Sequence, residues 1–180
     1  MAEPWNIEHY KCTQPPVTLW RVVHSGTQSH ISPRTKYHLA SERTRKIENV
    51  SQLKVAIEDH IDWGSCQQSF FISVFSNKQH AIHWASRLQQ RREPSNAYIK
   101  IYEIDTARLP LDSCLLDLDS LKNTLEIVHP NSTDEYLFLR YIPSMAIVGK
   151  WDLDTFVVQA EEDSERNVTA NEMCDVDLIR

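Results

Sequence analysis

The sequence predicts an α+β domain, because short apolar strands and short amphipathic helices alternate irregularly along its 180 residues. Hydrophobic residues make up 41% of the chain and charged residues 24%, which is ordinary for one globular domain with a buried core. The chain has three glycines, too few to favour glycine-rich phosphate loops or repeat architectures. No regular strand-helix-strand series is visible, so two small sheets are favoured over a doubly wound sheet.

Composition divides the chain into three parts. Residues 1–16 are polar and end in two prolines, and we expect an arm that packs on the domain through Trp5 and Tyr10, or a partly ordered leader. Residues 17–157 contain the periodic apolar segments and therefore form the domain. Residues 158–180 are acidic with few apolar side chains, which indicates a flexible tail.

The first half of the domain contains four segments with a clear pattern. Residues 17–24 are β-branched and apolar, which predicts a strand. Residues 52–61 place apolar side chains at helical spacing, which predicts a helix. An apolar strand is predicted over residues 70–76, and a helix over residues 78–90 with Asn77 as its N-cap.

The second half continues with strands that are separated by turns and one short helix. Residues 97–105 alternate between apolar and polar side chains, as in a half-buried strand. Residues 111–125 are predicted to hold a short helix. Residues 134–142 form an apolar strand, and a turn that begins with proline leads to a closing strand at residues 146–154.

The net charge of −6 is unevenly distributed. Residues 1–100 carry 13 basic and 8 acidic side chains, whereas residues 101–180 carry 6 basic and 17 acidic ones. The whole chain is therefore not a general nucleic-acid binder, although its first half can present a basic face to phosphates. The alternative is that the acidic excess lies mostly in a solvated tail.

The sequence indicates a soluble, cytoplasmic protein without a membrane partner. No stretch approaches the roughly 18 consecutive apolar residues of a membrane span, and the N-terminus lacks the features of a signal peptide. The four cysteines are widely spaced without a Cys-x-x-Cys pair, so we interpret them as reduced thiols. Because no Cys and His residues fall at zinc-finger spacing in the right order, we expect no metal site.

Three segments contain candidate site residues. Arg21 lies within an apolar strand, where its guanidinium either meets an anion or points to the exposed face. Ser73 and Ser76 interrupt the apolar strand before the second helix, and they either orient a ligand or are ordinary alternating positions. Asp134 and Glu135 begin a strand, where carboxylates can act as a base or bind a cation, or can be solvated turn residues.

Other candidates carry weaker signals. His24 and Thr27 belong to a Ser-Gly-Thr turn that could contact substrate, although histidines in loops often have no special role. A basic face for nucleic acid is predicted from the cations before the first helix and along the second, with exposed helix cations as the alternative. These cations are Arg43, Arg45, Lys46, Arg87, Arg91 and Arg92.

Taken in order, the three segments resemble the arginine–serine–glutamate class of ADP-ribosyltransferases. The arginine-bearing strand of that class resembles LWRVVHSG. Its serine-bearing strand and the following helix resemble FISVFSNKQHAIHWA. Its glutamate-bearing strand and closing strand resemble DEYLFLRYIPSMAIVGKW. The similarity covers residues 17–155 and implies an ADP-ribosyltransferase-like split sheet with short flanking helices. It implies that Arg21 holds a phosphate or carboxylate, that Ser73 begins the serine motif and that Glu135 is the key glutamate, with NAD bound.

The same three segments also resemble small fungal cyclodipeptide synthases that incorporate arginine. These enzymes join two aminoacyl groups from charged tRNAs and depend on an Asp-Asp-x-x-Glu motif, of which residues 131–135 keep only the final Glu. The resemblance implies that Asp134 and Glu135 grip a guanidinium and that Ser73 or Ser76 accepts the aminoacyl group. Its partners would be arginyl-tRNA and a second aminoacyl-tRNA.

Three hypotheses result, in this order. The first is a tRNA-dependent, arginine-containing cyclodipeptide synthase of fungal secondary metabolism, which needs no cofactor. The second is an NAD-dependent ADP-ribosyltransferase or NAD glycohydrolase that uses Arg21, Ser73 and Glu135. The third is a non-catalytic interaction domain on the same fold.

Overall fold

The computed structural model describes residues 4–62, 65–90, 98–129 and 134–160. In chain order its strands are β1 (Thr18–His24), β2 (His30–Ile31), β3 (His38–Leu39), β4 (Phe71–Phe75), β5 (Ile99–Asp105), β6 (Leu115–Asp117), β7 (Glu135–Leu139), β8 (Tyr141–Ile142) and β9 (Ile147–Asp152). Its helices are α1 (Val50–Ile61), α2 (Lys78–Gln90), α3 (Leu118–Leu125) and α4 over residues 153–160. The predicted mixed α+β class is confirmed.

Two antiparallel sheets organise these elements. The main sheet has six strands in the order β6-β7-β4-β1-β5-β9, and the small sheet has the order β2-β3-β8. Every strand pair in both sheets is antiparallel. Neighbours in the main sheet are mostly distant in sequence, so its formation requires contacts between remote parts of the chain.

Helix boundaries follow from side chains that cap the first turn. Asn49 accepts a hydrogen bond from the backbone N–H of Gln52 and starts α1. Asn77 accepts bonds from the backbone N–H groups of Gln79 and His80, at 2.8 and 3.2 Å, and starts α2. The helix predicted over residues 78–90 is therefore confirmed at both ends.

The helices cover one face of the main sheet in two separate apolar clusters. Under α2 and α4, the first cluster includes Trp20, Phe75 and Phe156. Under α1 and α3, the second cluster includes Phe71 and Leu121. Because side chains alternate along a strand, the residue between Phe71 and Phe75 on this face lies at the boundary of the two clusters.

The other face of the main sheet packs against the small sheet. Leu19 and Val74 contact Ile142 of β8 in a third apolar cluster. The predicted strand at residues 134–142 is in fact two strands, because Arg140 adopts a left-handed backbone conformation with φ of 69°. This break moves β8 out of the main sheet and into the small one.

Strands β1 and β4 separate after a single register pair. Trp20 of β1 is paired with Phe75 of β4. By contrast, all seven residues of β1 are paired with β5, from Thr18 opposite Asp105 to His24 opposite Ile99. The main sheet is therefore split along its middle, and side chains from both strands line the gap.

Both ends of the domain are anchored in the apolar clusters. Trp5 donates its indole N–H to the carbonyl of Ile47 at 2.8 Å, and with Tyr10 it packs on the cluster under α1. At the other end, α4 continues to Ala160, which is buried, so the folded domain extends three residues beyond the boundary suggested by composition. Residues 161–180 of the predicted tail lie outside the described residues.

The carboxylate of Glu42 organises the turn before α1. It accepts hydrogen bonds from the backbone N–H groups of Thr44 and Arg45, from the Thr44 hydroxyl and from Nε of Arg45, at 2.6 to 2.9 Å. These bonds, chiefly those from Arg45, lower the pKa of Glu42 from 4.5 to about 2.

We expect Glu42 to contribute to acid sensitivity. Since its folded-state pKa lies below its ordinary value, its stabilising effect is complete above pH 4.5 and is lost as the pH falls toward about 2. Glu42→Gln should lower stability at pH 7 and weaken the acid dependence in that window. Urea denaturation at a series of pH values measures both effects, and equal acid dependence in the two proteins would contradict the assignment.

Candidate functional site

The gap between β1 and β4 opens into a cleft that consists of two adjacent cavities. Ser73 of β4, His60 of α1 and Trp84 of α2 line both of its two cavities. The larger cavity, of about 320 Å³, extends to Arg21 and the loop after β1. The smaller one, of about 170 Å³, extends to Glu135. A cationic side chain therefore lines one of these adjacent cavities and an acidic side chain lines the other.

Ser73 occupies the boundary between the two apolar clusters under the helices. Its hydroxyl oxygen lies 2.8 Å from Nε2 of His60, and Nδ1 of His60 lies 2.6 Å from the hydroxyl oxygen of Ser69. The Ser69 oxygen also accepts the backbone N–H of Phe71 at 3.0 Å. Burial lowers the pKa of His60 to about 4, so the imidazole is neutral at pH 7.

Glu135 reaches the same hydroxyl from the neighbouring strand. The register of β4 and β7 places Phe75 opposite Glu135 and Ser73 opposite Leu137, so Ser73 and Glu135 are diagonal neighbours on one face. Burial raises the pKa of Glu135, and the hydrogen bond with Ser73 opposes that effect. Ser73 thus connects the carboxylate to His60.

Arg21 forms the other end of the cleft and is the largest fully buried side chain of the described residues. Its guanidinium donates a hydrogen bond to the hydroxyl of Ser29, while its Nη1 is buried without a hydrogen-bond partner. Burial lowers the pKa of Arg21 to about 9, which still leaves the group charged at pH 7. A buried cation with an unused donor is suited to an anionic ligand.

Tyr102 and His38, which lie next to Arg21, add no negative charge to compensate it. Tyr102 of β5 is directly opposite it in the register, and His38 of the small sheet packs edge-on against Tyr102 with ring centroids 4.5 Å apart. Burial, together with the positive charge of Arg21, lowers the pKa of His38 to about 2, so His38 stays neutral. The positive charge of the guanidinium is therefore not compensated by these neighbours.

Comparison with known families gives one match. The model of a domain of unknown function, DUF7587, matches residues 14–156. The chain belongs to the DUF7587 family. The matched segment contains the whole main sheet and with it both ends of the cleft. No curated protein matches the chain.

The cleft of this DUF7587 domain brings together five of the seven residues predicted to be catalytic or substrate-binding. Arg21, Ser73, His24 and Thr27 line the larger cavity, and Ser73 and Glu135 line the smaller one. The Thr27 hydroxyl also accepts the backbone N–H of His24 at 2.9 Å, which closes the turn after β1.

Ser76 and Asp134 are placed differently. They line neither cavity, and the backbone N–H of Ser76 donates to the carbonyl of Asp134 at 2.9 Å. Asp134 is exposed and has a left-handed backbone with φ of 64°. Asp134 and Glu135 therefore do not form a carboxylate pair within these cavities.

The predicted basic face of the DUF7587 domain is only partly described. Arg43, Arg45, Lys46 and Arg87 are exposed, and Arg45 forms an ion pair with Glu42 at 2.6 Å. Arg91 and Arg92 lie outside the described residues, as does Thr133 next to the acidic pair.

Sequence reasoning did not single out His60, Trp84 or Ser29, all of which line the cleft. His60 and Trp84 lie in segments whose helical spacing predicts only a helix with a core-facing side. Ser29 lies in a polar loop with no local signal. The contact of His60 with Ser73 joins residues that are 13 positions apart, so no local pattern contains it.

Proposed function

We propose that this chain is an NAD-using ADP-ribosyltransferase or NAD glycohydrolase with an ADP-ribosyltransferase-like split sheet. The observation that carries the proposal is the buried guanidinium of Arg21, with an unused donor, in the same cleft as the Ser73–Glu135 pair. The adjacent strands β1, β4 and β7 each contribute one of these three residues, which supports the finer fold assignment.

Arg21 would bind the phosphates of the substrate. Burying a guanidinium without a counter-charge is costly, and a phosphate oxygen would both supply that charge and accept the free Nη1 donor. Ser29 holds the guanidinium from its other side. No carboxylate of the described residues forms an ion pair with Arg21, so a ligand would not have to displace one.

Glu135 would stabilise positive charge at the other end of the cleft. Loss of nicotinamide from NAD develops positive charge on the ribose, as in glycoside cleavage. A carboxylate that is partly withdrawn from water, as Glu135 is, stabilises such charge more strongly than one in water, because less solvent screens it. Ser73 fixes the orientation of Glu135, and Trp84 offers an aromatic surface beside it.

The matched variants Ser73→Ala and Ser76→Ala test the proposal. We expect the wild-type protein to release nicotinamide from NAD and Ser73→Ala to do so roughly 10- to 100-fold more slowly, because a hydrogen bond to a charged group is lost. Ser76 is on the same strand segment but lines neither cavity, so Ser76→Ala should retain wild-type turnover. Absence of NAD consumption by the folded wild type, with water or protein acceptors, would rule the proposal out.

The Ser73 hydroxyl also favours a second candidate function, arginine-containing cyclodipeptide synthesis. A serine hydroxyl between an imidazole and a carboxylate can attack an aminoacyl-tRNA ester. The aminoacyl group would then be bonded to the serine oxygen, and Glu135 would take the serine proton and pass it to the departing ribose oxygen, so that the tRNA leaves with a free hydroxyl. Glu135 would have to grip the arginine guanidinium without Asp134, which lines neither cavity.

Mass spectrometry of extracts distinguishes this second candidate from the first. Cells that express the wild type would contain cyclic dipeptides with arginine, and cells that express Glu135→Ala would not. Folded protein without such products in a cell with a full tRNA pool would eliminate the candidate.

A further inference from the structure

A line of hydrogen bonds connects Ser69 to Glu135 through His60 and Ser73. The two contacts of the imidazole, 2.6 Å to Ser69 and 2.8 Å to Ser73, are short enough to be hydrogen bonds. Glu135 forms the bond at the other end of the line, with the Ser73 hydroxyl. All four side chains are held by regular elements or by backbone bonds.

When Glu135 is ionised, the chemistry of the four groups fixes the direction of every proton in this line. An ionised carboxylate only accepts hydrogen bonds, so the single hydroxyl proton of Ser73 is donated to Glu135. The contact between Ser73 and His60 therefore needs a proton from Nε2 of the imidazole. A neutral imidazole has one N–H, so Nδ1 is unprotonated and accepts the hydroxyl proton of Ser69.

Ser69 is held in a position from which its hydroxyl can donate to Nδ1 of His60. Its oxygen accepts the Phe71 backbone N–H at 3.0 Å, and its own N–H donates to the Ser41 hydroxyl at 2.8 Å. The nearest alternative acceptor for the Ser69 hydroxyl is the Phe71 carbonyl, at 3.4 Å. The contact with His60, at 2.6 Å, is much shorter, so an unprotonated Nδ1 is the better acceptor for this hydroxyl.

We propose that His60 is a positioning residue, fixed by Ser69 as the Nε2–H tautomer, which turns the Ser73 hydroxyl toward Glu135 and thereby favours the ionised form of that carboxylate. This arrangement contributes to catalysis only if Glu135 has the role proposed above. The tautomer of His60 does not depend on that role. Without the imidazole N–H, the Ser73 hydroxyl is free to rotate away from Glu135.

Other titratable groups also face this part of the cleft. His80 and His129 line the smaller cavity with Glu135, and Asp59 and Asp62 line the larger one with His60. Lys122 lowers the pKa of Glu135, and Asp119 raises it. The experiment therefore has to separate the effect of His60 from the effects of these neighbours.

Nitrogen-15 NMR of the full chain with labelled histidine tests the tautomer directly. We expect His60 to be neutral at pH 7 with a proton on Nε2 and none on Nδ1, and its signals can be assigned by their loss in His60→Gln. An imidazolium signal or a proton on Nδ1 would overturn the proposal. This measurement needs neither substrate nor turnover.

Carbon-13 NMR of the Glu135 carboxylate tests the effect on its ionisation. In His60→Leu the titration of Glu135 should shift to higher pH, whereas His60→Gln, whose amide can still donate to Ser73, should stay near the wild type. His80→Leu is the matched control, because His80 lines the same cavity and packs on Phe75 with ring centroids 4.6 Å apart. Equal titration of Glu135 in wild type, His60→Leu and His80→Leu would also overturn the proposal.

The outcomes separate this inference from the proposed function. If NAD is not consumed but His60 has the expected tautomer and controls the titration of Glu135, the proposed function fails and the positioning role stands. If NAD is consumed and His60 has the other tautomer, the positioning role fails alone.

Discussion

Arg21→Met is expected to weaken binding of a phosphate-bearing substrate about 100-fold or more while leaving the fold at least as stable as the wild type. The guanidinium would contribute charge-assisted hydrogen bonds that methionine cannot make. In the free protein it is fully buried with Nη1 unpaired, so its removal relieves a desolvation cost. If the substitution weakens ligand binding without lowering stability, Arg21 contributes to ligand binding rather than to folding.

Two measurements on one set of variants check this expectation. Thermal denaturation with and without NAD gives stability and binding together, because a ligand that binds only the folded state raises Tm. Arg87→Met, at an exposed position of α2, serves as the control and should keep the ligand-induced shift. If Arg21→Met is less stable by several kcal/mol and still binds NAD, Arg21 is a structural residue.

Glu135→Gln is expected to lower the turnover of NAD by about 100- to 1,000-fold, because an amide cannot supply the negative charge that stabilises the ribose cation. It should also stabilise the fold slightly at pH 7. Burial raises the pKa of Glu135, so the folded state favours the protonated form and the ionised form is a cost above that pKa. Asp134→Asn is the control next to it, and we expect it to retain turnover.

The stability and the activity of the wild type are expected to depend on pH in opposite directions. Since the folded-state pKa of Glu135 lies above 4.5, its contribution to stability is most favourable below pH 4.5 and declines as the pH rises through the folded-state pKa. Activity has the opposite dependence, because it needs the carboxylate. Turnover should therefore fall on acidification through a pKa above 4.5, and Glu135→Gln should lack this acid limb. An unchanged acid limb in the variant would assign it to another group.

The elements that the sequence predicts well are those with local signals. The helix α2 is predicted at both ends because Asn77 caps it and its apolar residues repeat at helical spacing. The small sheet is not predicted, since β2, β3 and β8 have two residues each and cannot show a period. The break at Arg140 is missed for a related reason, because a positive φ at a non-glycine residue leaves little trace in sequence.

The candidate site also contains some residues that the sequence predicts and others that it does not. Arg21, Ser73 and Glu135 can be singled out because each is a polar residue in an apolar strand. Their meeting in one cleft depends on the strand order, which lies beyond local pattern. His60 is indistinguishable from a core position until α1 is placed over β4, and helical spacing alone could not reveal its contacts with two serines.

The split between β1 and β4 makes the domain two half-sheets joined at Trp20 and Phe75. One half, β1-β5-β9, contains Arg21, and the other, β6-β7-β4, contains Ser73 and Glu135. Any pivoting about that joint changes the span between guanidinium and carboxylate, yet it leaves the Ser73–Glu135 pair intact. Arg21 and the Ser73–Glu135 pair thus belong to different half-sheets, whereas Ser73 and Glu135 are fixed relative to each other by the register of one half.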